Sequence, residues 1–100
     1  MSYARSFTIT VTVAGATGSS SFTLPNISGI RIKTIAIDAP AVATYDWVFK
    51  DADGYAMTGE VGAAGDETYY TNLPMGASGS IVFVNATNGT YSIQVWAEYN

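Results

Sequence analysis

Twenty-eight of the 100 residues are Thr, Val or Ile, and only two are Leu. A side chain branched at Cβ loses rotamers against a helical turn but packs well on a pleated surface, so this bias selects strands over helices. Residues 7–13 show the consequence most plainly, with Phe7, Ile9, Val11 and Val13 alternating with Thr8, Thr10 and Thr12. A period of two sends the first set to one face and the threonines to the other, the pattern of a strand buried on one side.

The same period recurs along the chain. Ser21–Leu24 resumes it after a flexible Gly15–Ser20 stretch, and these first two segments are expected to pair as a hairpin. Ile30 and Ile32 share one parity while Ile35 and Ile37 take the other, which predicts either a bulge near Lys33–Thr34 or a strand apolar on both faces. Tyr45, Trp47 and Phe49 line one face of the next strand, with Trp47 expected at the centre of the core. Asp51-Ala-Asp-Gly54 reads as a hairpin turn with Gly54 at positive φ, leading into Tyr55 and Met57. Residues 59–66 and 73–79 read as loops around a strand at 67–72. Because adjacent strand residues point oppositely, one of Tyr69 and Tyr70 must face outward. The last quarter reads as a hairpin of 80–84 and 90–99, its first strand apolar at both parities as if covered on both sides. Trp96 falls on the otherwise polar face of its strand, a position that calls for a cover.

These segments predict an all-β fold with about seven to eight strands and no helices, a small antiparallel β-sandwich or jelly-roll-like domain. A chain of this length buries roughly two-thirds of its unfolded surface, enough for one core and not two. Residues 1–100 are therefore read as a single domain, with residues 1–5 a short N-terminal arm.

Composition narrows the chemistry. With no Cys and no His the chain cannot form a disulfide, a thiolate or Ser-His-Asp nucleophile, or a His- or Cys-ligated metal site. No cofactor is expected. Net charge is −4, so nucleic acid and anionic membranes are poor partners. Only 12% of residues are charged, leaving a Thr-, Ser- and Tyr-rich surface suited to packing against protein. No apolar run nears the roughly 18 residues of a membrane helix, and the threonines of 8–12 break any secretory core, so a soluble chain made in the cytosol is expected. The triplets at Asn26, Asn85 and Asn88 are accordingly read as turn sequence, not glycosylation sites.

Three constellations bear on function. Asp51-x-Asp53-Gly54 with Glu60 has the outline of a calcium loop but too few oxygen ligands and strand flanks, so a turn is the stronger reading over adventitious cation binding. Pairs among Asp46, Asp51, Asp53, Glu60, Asp66 and Glu67 would need a water-excluded cleft to act as glycosidase carboxylates, and a small sandwich offers none. No enzymatic activity is expected. The aromatics Tyr69, Tyr70, Trp96 and Tyr99 are the candidate interface residues, serving a subunit or partner contact.

The Met-Ser-Tyr start running into Phe7-Thr-Ile-Thr-Val-Thr-Val, the block Thr44-Tyr-Asp-Trp-Val-Phe-Lys-Asp-Ala-Asp-Gly54 and the ending Asn85-Ala-Thr-Asn-Gly-Thr-Tyr-Ser-Ile-Gln-Val-Trp96 resemble the small β-sandwich decoration, or cement, proteins of tailed bacteriophage heads. The resemblance is one of style and architecture and covers most of the chain. It implies a virion protein on the outer capsid surface that clamps major capsid protein subunits, often as a trimer. On that reading loops 15–20 and 59–66 are the candidate shell contacts, and the arm 1–5 is free to reach a neighbour. The alternative is a carbohydrate- or receptor-binding module of a phage tail or cell-surface protein.

Overall fold

The computed structural model describes residues 3–24, 30–75 and 78–99, with side chains for 5–24, 30–74 and 78–98. The described residues form eight strands: β1 (Tyr3–Val13), β2 (Gly18–Thr23), β3 (Ile30–Asp38), β4 (Thr44–Asp51), β5 (Ala56–Ala64), β6 (Glu67–Met75), β7 (Ser78–Val84) and β8 (Gly89–Tyr99). They build two four-stranded sheets, ordered β1-β8-β3-β6 and β2-β7-β4-β5. All pairings are antiparallel. The partners β1 and β8, β2 and β7, β3 and β6, β4 and β5 nest inside one another, as in a long hairpin whose tip is the β4–β5 turn. Rolling that hairpin so that successive rungs fall in opposite sheets gives a jelly roll.

The core lies between the sheets and is made by the parity the sequence displays. Ile9, Val11 and Val13 from β1, Ile32, Ile35 and Ile37 from β3, and Tyr91, Ile93 and Val95 from β8 meet Tyr45, Trp47 and Phe49 from β4 and Ile81 and Phe83 from β7. Among the described residues no polar or charged side chain is buried with them. Aromatic contacts tie the sheets together at three points: Phe7–Phe22–Phe49, with centroids 5.6 and 5.1 Å apart; Trp47–Tyr69 at 4.9 Å; and Tyr45–Phe83–Tyr91 at 5.6 and 4.6 Å. Trp47 is central as expected, but its buried Nε1–H has no acceptor in hydrogen-bonding geometry among the described residues.

The bulge in β3 is present, with the register against both β6 and β8 shifting between Ile32 and Thr34. Gly54 turns the β4–β5 hairpin at φ 86°, a conformation open to glycine without a Cβ clash. Five expectations are corrected. Residues 59–64 are strand, not loop, because β5 pairs with β4 from Ala56 to Ala64. Residues 73–75 continue β6, and Pro74 is tolerated because β6 is an edge strand. β7 and β8 are not a hairpin, since each lies in a different sheet, and β7 is covered only on its inner face, leaving Val84 exposed. Among the described residues β1 and β2 share backbone pairing only at the Ala14–Thr17 bridge, and they then pass into separate sheets, in contact through Phe7 and Phe22 and through the Ser20 hydroxyl, which donates to Thr10 O at 2.7 Å. The proposed arm is also shorter than expected: Tyr3–Arg5 pair with β8, and residues 1–2 lie outside the described residues.

One end of the sandwich is cross-braced by backbone bonds between its turns. Ala86 N–H donates to Ala16 O, Thr87 N–H to Thr44 O and Gly65 N–H to Ala43 O. Val42 sits in this end, 96% exposed and at φ 56°. A β-branched residue in the left-handed region is strained, and here the surrounding braces hold it.

Candidate functional site

The outer face of the β1-β8-β3-β6 sheet follows from register. Ser6 lies opposite Trp96, Trp96 opposite Thr34, and Thr34 opposite Tyr70, so one row crosses all four strands. Trp96 is 43% exposed and Tyr70 84% exposed. Strands 4.7–4.9 Å apart place these two rings about 10 Å from each other with only Thr34 between. The adjoining row is Thr8, Gln94, Ala36 and Thr68, neutral throughout. On the other side the β3 bulge gathers polar groups, with Lys33 Nζ donating to Asn72 Oδ1 at 2.9 Å and the Arg31 guanidinium to Asn72 O at 3.3 Å.

Tyr69 is corrected as an interface residue. It turns inward against Trp47, and its hydroxyl donates to Glu60 Oε2. This contact joins edge strand β6 of one sheet to edge strand β5 of the other and so closes one flank of the sandwich. Burial, followed by the Glu60 bond, pushes the Tyr69 phenol well above its ordinary value. The Tyr99 backbone pairs with Tyr3, while its side chain lies outside the described residues.

Four of the acids considered as catalytic or cation-binding groups, Asp46, Asp51, Asp66 and Glu67, accept from backbone N–H groups. Asp51 Oδ1 accepts from Asp53 N–H at 3.0 Å and Tyr55 N–H at 2.9 Å, a side-chain-closed turn. Asp66 Oδ1 accepts from Ala39 N–H, and Glu67 Oε2 from Ala64 N–H. Asp46 takes the Asn85 amide and Gly62 N–H, and these bonds, the Asn85 one foremost, hold its carboxyl below the usual range. Among the described residues no three such acids converge on a point that would hold a metal ion. No helix there is long and apolar enough to cross a membrane. Asp51→Ala is expected to cost about 1 kcal/mol in thermal or denaturant unfolding, whereas Asp51→Asn, which keeps the acceptor, costs little. Millimolar calcium should leave the melting temperature of the wild type unchanged; a calcium-dependent rise abolished by Asp51→Ala would reinstate the cation site.

The outer face of the second sheet has a different character. Val48 on β4 lies opposite Val82 on β7, and Val84 opposite Asp46. With Met57 and Val61 of β5 they border a shallow groove of about 500 Å³. Sequence reasoning missed this face because it assigned β7 a cover on both sides and β5 to a loop. The apolar parity of Val48, Val82 and Val84 was the available signal.

The sequence matches no family model, and no curated protein is significantly similar to it. Among solved structures, the chain resembles FLHE with a TM-score of 0.45 at 16% identity, over 100% of this chain and 96% of that one. It also resembles a chain in the structure of infectious bursal disease virus Gx strain, with a TM-score of 0.41 at 10% identity. That match covers 98% of this chain and 32% of the other, so the chain spans about a third of it. Both are likenesses of shape alone.

Proposed function

We propose that the protein is a non-enzymatic structural component of a virion that binds the outer surface of the capsid shell and stabilises contacts between neighbouring subunits. The observation that carries this reading is the Ser6–Trp96–Thr34–Tyr70 row, which sets two large exposed rings beside the uncharged Thr8–Gln94–Ala36–Thr68 row, with Arg31, Lys33 and Glu98 on its other side. Such a face offers aromatic anchors with few charges to desolvate, the composition of a protein-binding surface. The resemblance of the sequence to phage head decoration proteins supports the same reading, and Asp46, Asp51, Asp66 and Glu67 are engaged by backbone N–H groups.

The test is to purify particles from the native source, count copies of this chain per shell protein, and add purified protein back to stripped particles. Hundreds of copies in simple ratio to the shell protein are expected, and absence from particles overturns the reading. Trp96→Ala or Tyr70→Ala should weaken rebinding by about 30-fold, the effect of losing an anchor worth about 2 kcal/mol. Circular dichroism and melting temperature should stay near wild type; unfolding by Trp96→Ala would make that residue structural.

The cluster of Arg31, Lys33 and Asn72 beside Tyr70 favours one alternative, an acidic sugar or receptor group stacked on the same rings. That reading predicts saturable quenching of Trp96 fluorescence by a free acidic saccharide in the absence of particles.

A further inference from the structure

The outer face of the β2-β7-β4-β5 sheet carries an arrangement that complements itself. Along β4 the outward residues run Asp46, Val48, Lys50, with opposite charges equally spaced about a valine. The flanking row on β7 runs Val84, Val82, Ser80. A two-fold axis lying between two such sheets and running across the strands over Val48 reverses one β4 on the other. It then brings Val48 onto Val48, Val82 onto Val82, and each Asp46 against the second copy's Lys50. Isologous contacts require such self-complementarity.

Three further observations support a second copy as the occupant. Asp46 and Lys50 cancel, so the face is neutral although each chain carries −4, and two copies can meet here without opposing like charges. Glu60, at the groove's rim, is drawn away by its bond from Tyr69. Lys50 has no acidic partner among the described residues, and Val61, 84% exposed, stands beside a floor opened by Gly59, whose missing Cβ would press on Trp47 O. Sheets pack face to face about 10 Å apart with strands near −30°, a geometry this face can adopt.

We infer that two copies of this chain associate back to back through the outer face of the β2-β7-β4-β5 sheet, centred on Val48 and Val82. This rests on the proposed function only for its consequence. The pair holds two Trp96–Tyr70 faces pointing apart and about 30 Å from each other, three sheet spacings, so it presents two shell-binding faces at once. Bivalent attachment of that kind strengthens holding without any new contact.

Sedimentation equilibrium of the purified full chain, without particles, tests the inference separately from shell binding. The wild type should show a monomer–dimer equilibrium with a dissociation constant in the micromolar range, as expected of a small interface. Val48→Glu should be monomeric. Lys50→Glu, which leaves the core untouched and sets like charges together, should weaken the dimer about tenfold or more, the effect of about 1.4 kcal/mol. Adding Asp46→Lys to Lys50→Glu should restore association. A wild type that is monomeric at 100-fold above that range, or a dimer that survives both Val48→Glu and Lys50→Glu, or one broken by Trp96→Ala instead, overturns the inference. In each of those cases particle rebinding still tests the shell-binding reading on its own.

Discussion

Phe83→Ala is expected to destabilise the protein by about 3–5 kcal/mol, the usual range for truncating a buried Phe. Phe83 is fully buried on the central strand β7, its ring 4.6 Å from Tyr91 and 5.6 Å from Tyr45. Removing it opens one corner of a three-ring cluster that joins the sheets, in which Tyr45 and Tyr91 also meet edge to face at 5.3 Å. The two tyrosines cannot collapse into the space, because each is tethered by its hydroxyl: Tyr45 donates to Gly65 O at 2.7 Å and Tyr91 to Thr87 O at 2.7 Å. For a domain whose total stability is about 5–15 kcal/mol, the loss lowers the melting temperature by roughly 15–30 °C. Phe83→Leu, which keeps most of the volume, should cost about 1 kcal/mol. Urea titration of both variants checks the pair. Equal losses for Leu and Ala would show that the site relaxes freely and that the tethers do not matter.

Alkaline unfolding is the second large effect. Burial pushes the phenols of Tyr45, Tyr69 and Tyr91 above the ordinary tyrosine value of 10.0, with Glu67 adding to Tyr45 and Glu60 to Tyr69. In the folded protein each therefore holds its proton at a pH where the unfolded chain has released it. Folding is then proton-retaining, and stability falls as pH rises. The contribution is complete below about pH 10 and is lost progressively between that value and the higher folded-state values. Tyrosinate absorbance and circular dichroism followed together should show these three phenols ionising in one cooperative step with loss of the fold. Full tyrosine ionisation in a protein that stays folded would contradict the prediction. Tyr45→Phe removes one contributor along with its bond to Gly65, so it should lower stability at neutral pH while making the alkaline loss less steep.

What could be read from sequence was whatever side-chain parity encodes. The bulge at Lys33–Thr34 was visible because Ile32 and Ile35 have opposite parity yet both must reach the core. The outward member of the tyrosine pair had to be on one face or the other, and packing of Tyr69 on Trp47 decided it for Tyr70. Parity is silent where side chains are small. Gly59, Gly62, Ala63 and Ala64 carry no alternation, and β5 forms there because β4 supplies backbone partners. Parity also tells which face a residue occupies but not which strand lies beside it. The connection 85–89 would serve a hairpin as well as a crossing between sheets, and Ala86 bonding to Ala16 and Thr87 to Thr44 is what carries it across. The Trp96–Tyr70 row was half legible for the same reason: Trp96 was evidently outward, but its neighbours depend on β8 lying between β1 and β3.

The nested pairing has a kinetic consequence. The β1–β8 ladder joins Tyr3 to Tyr99 and the β2–β7 ladder joins Gly18 to Phe83, so most strands wait for partners that lie far along the chain. Loop closure over such separations must precede any reward from pairing, which places jelly rolls among the slow-folding topologies. During synthesis the β4–β5 hairpin is the first pairing whose two halves are both available, while Ile9, Val11 and Val13 of β1 remain without the strand that will flank them. The threonines at every second position of β1 keep that waiting segment half polar, a safeguard against premature association while the rest of the chain emerges.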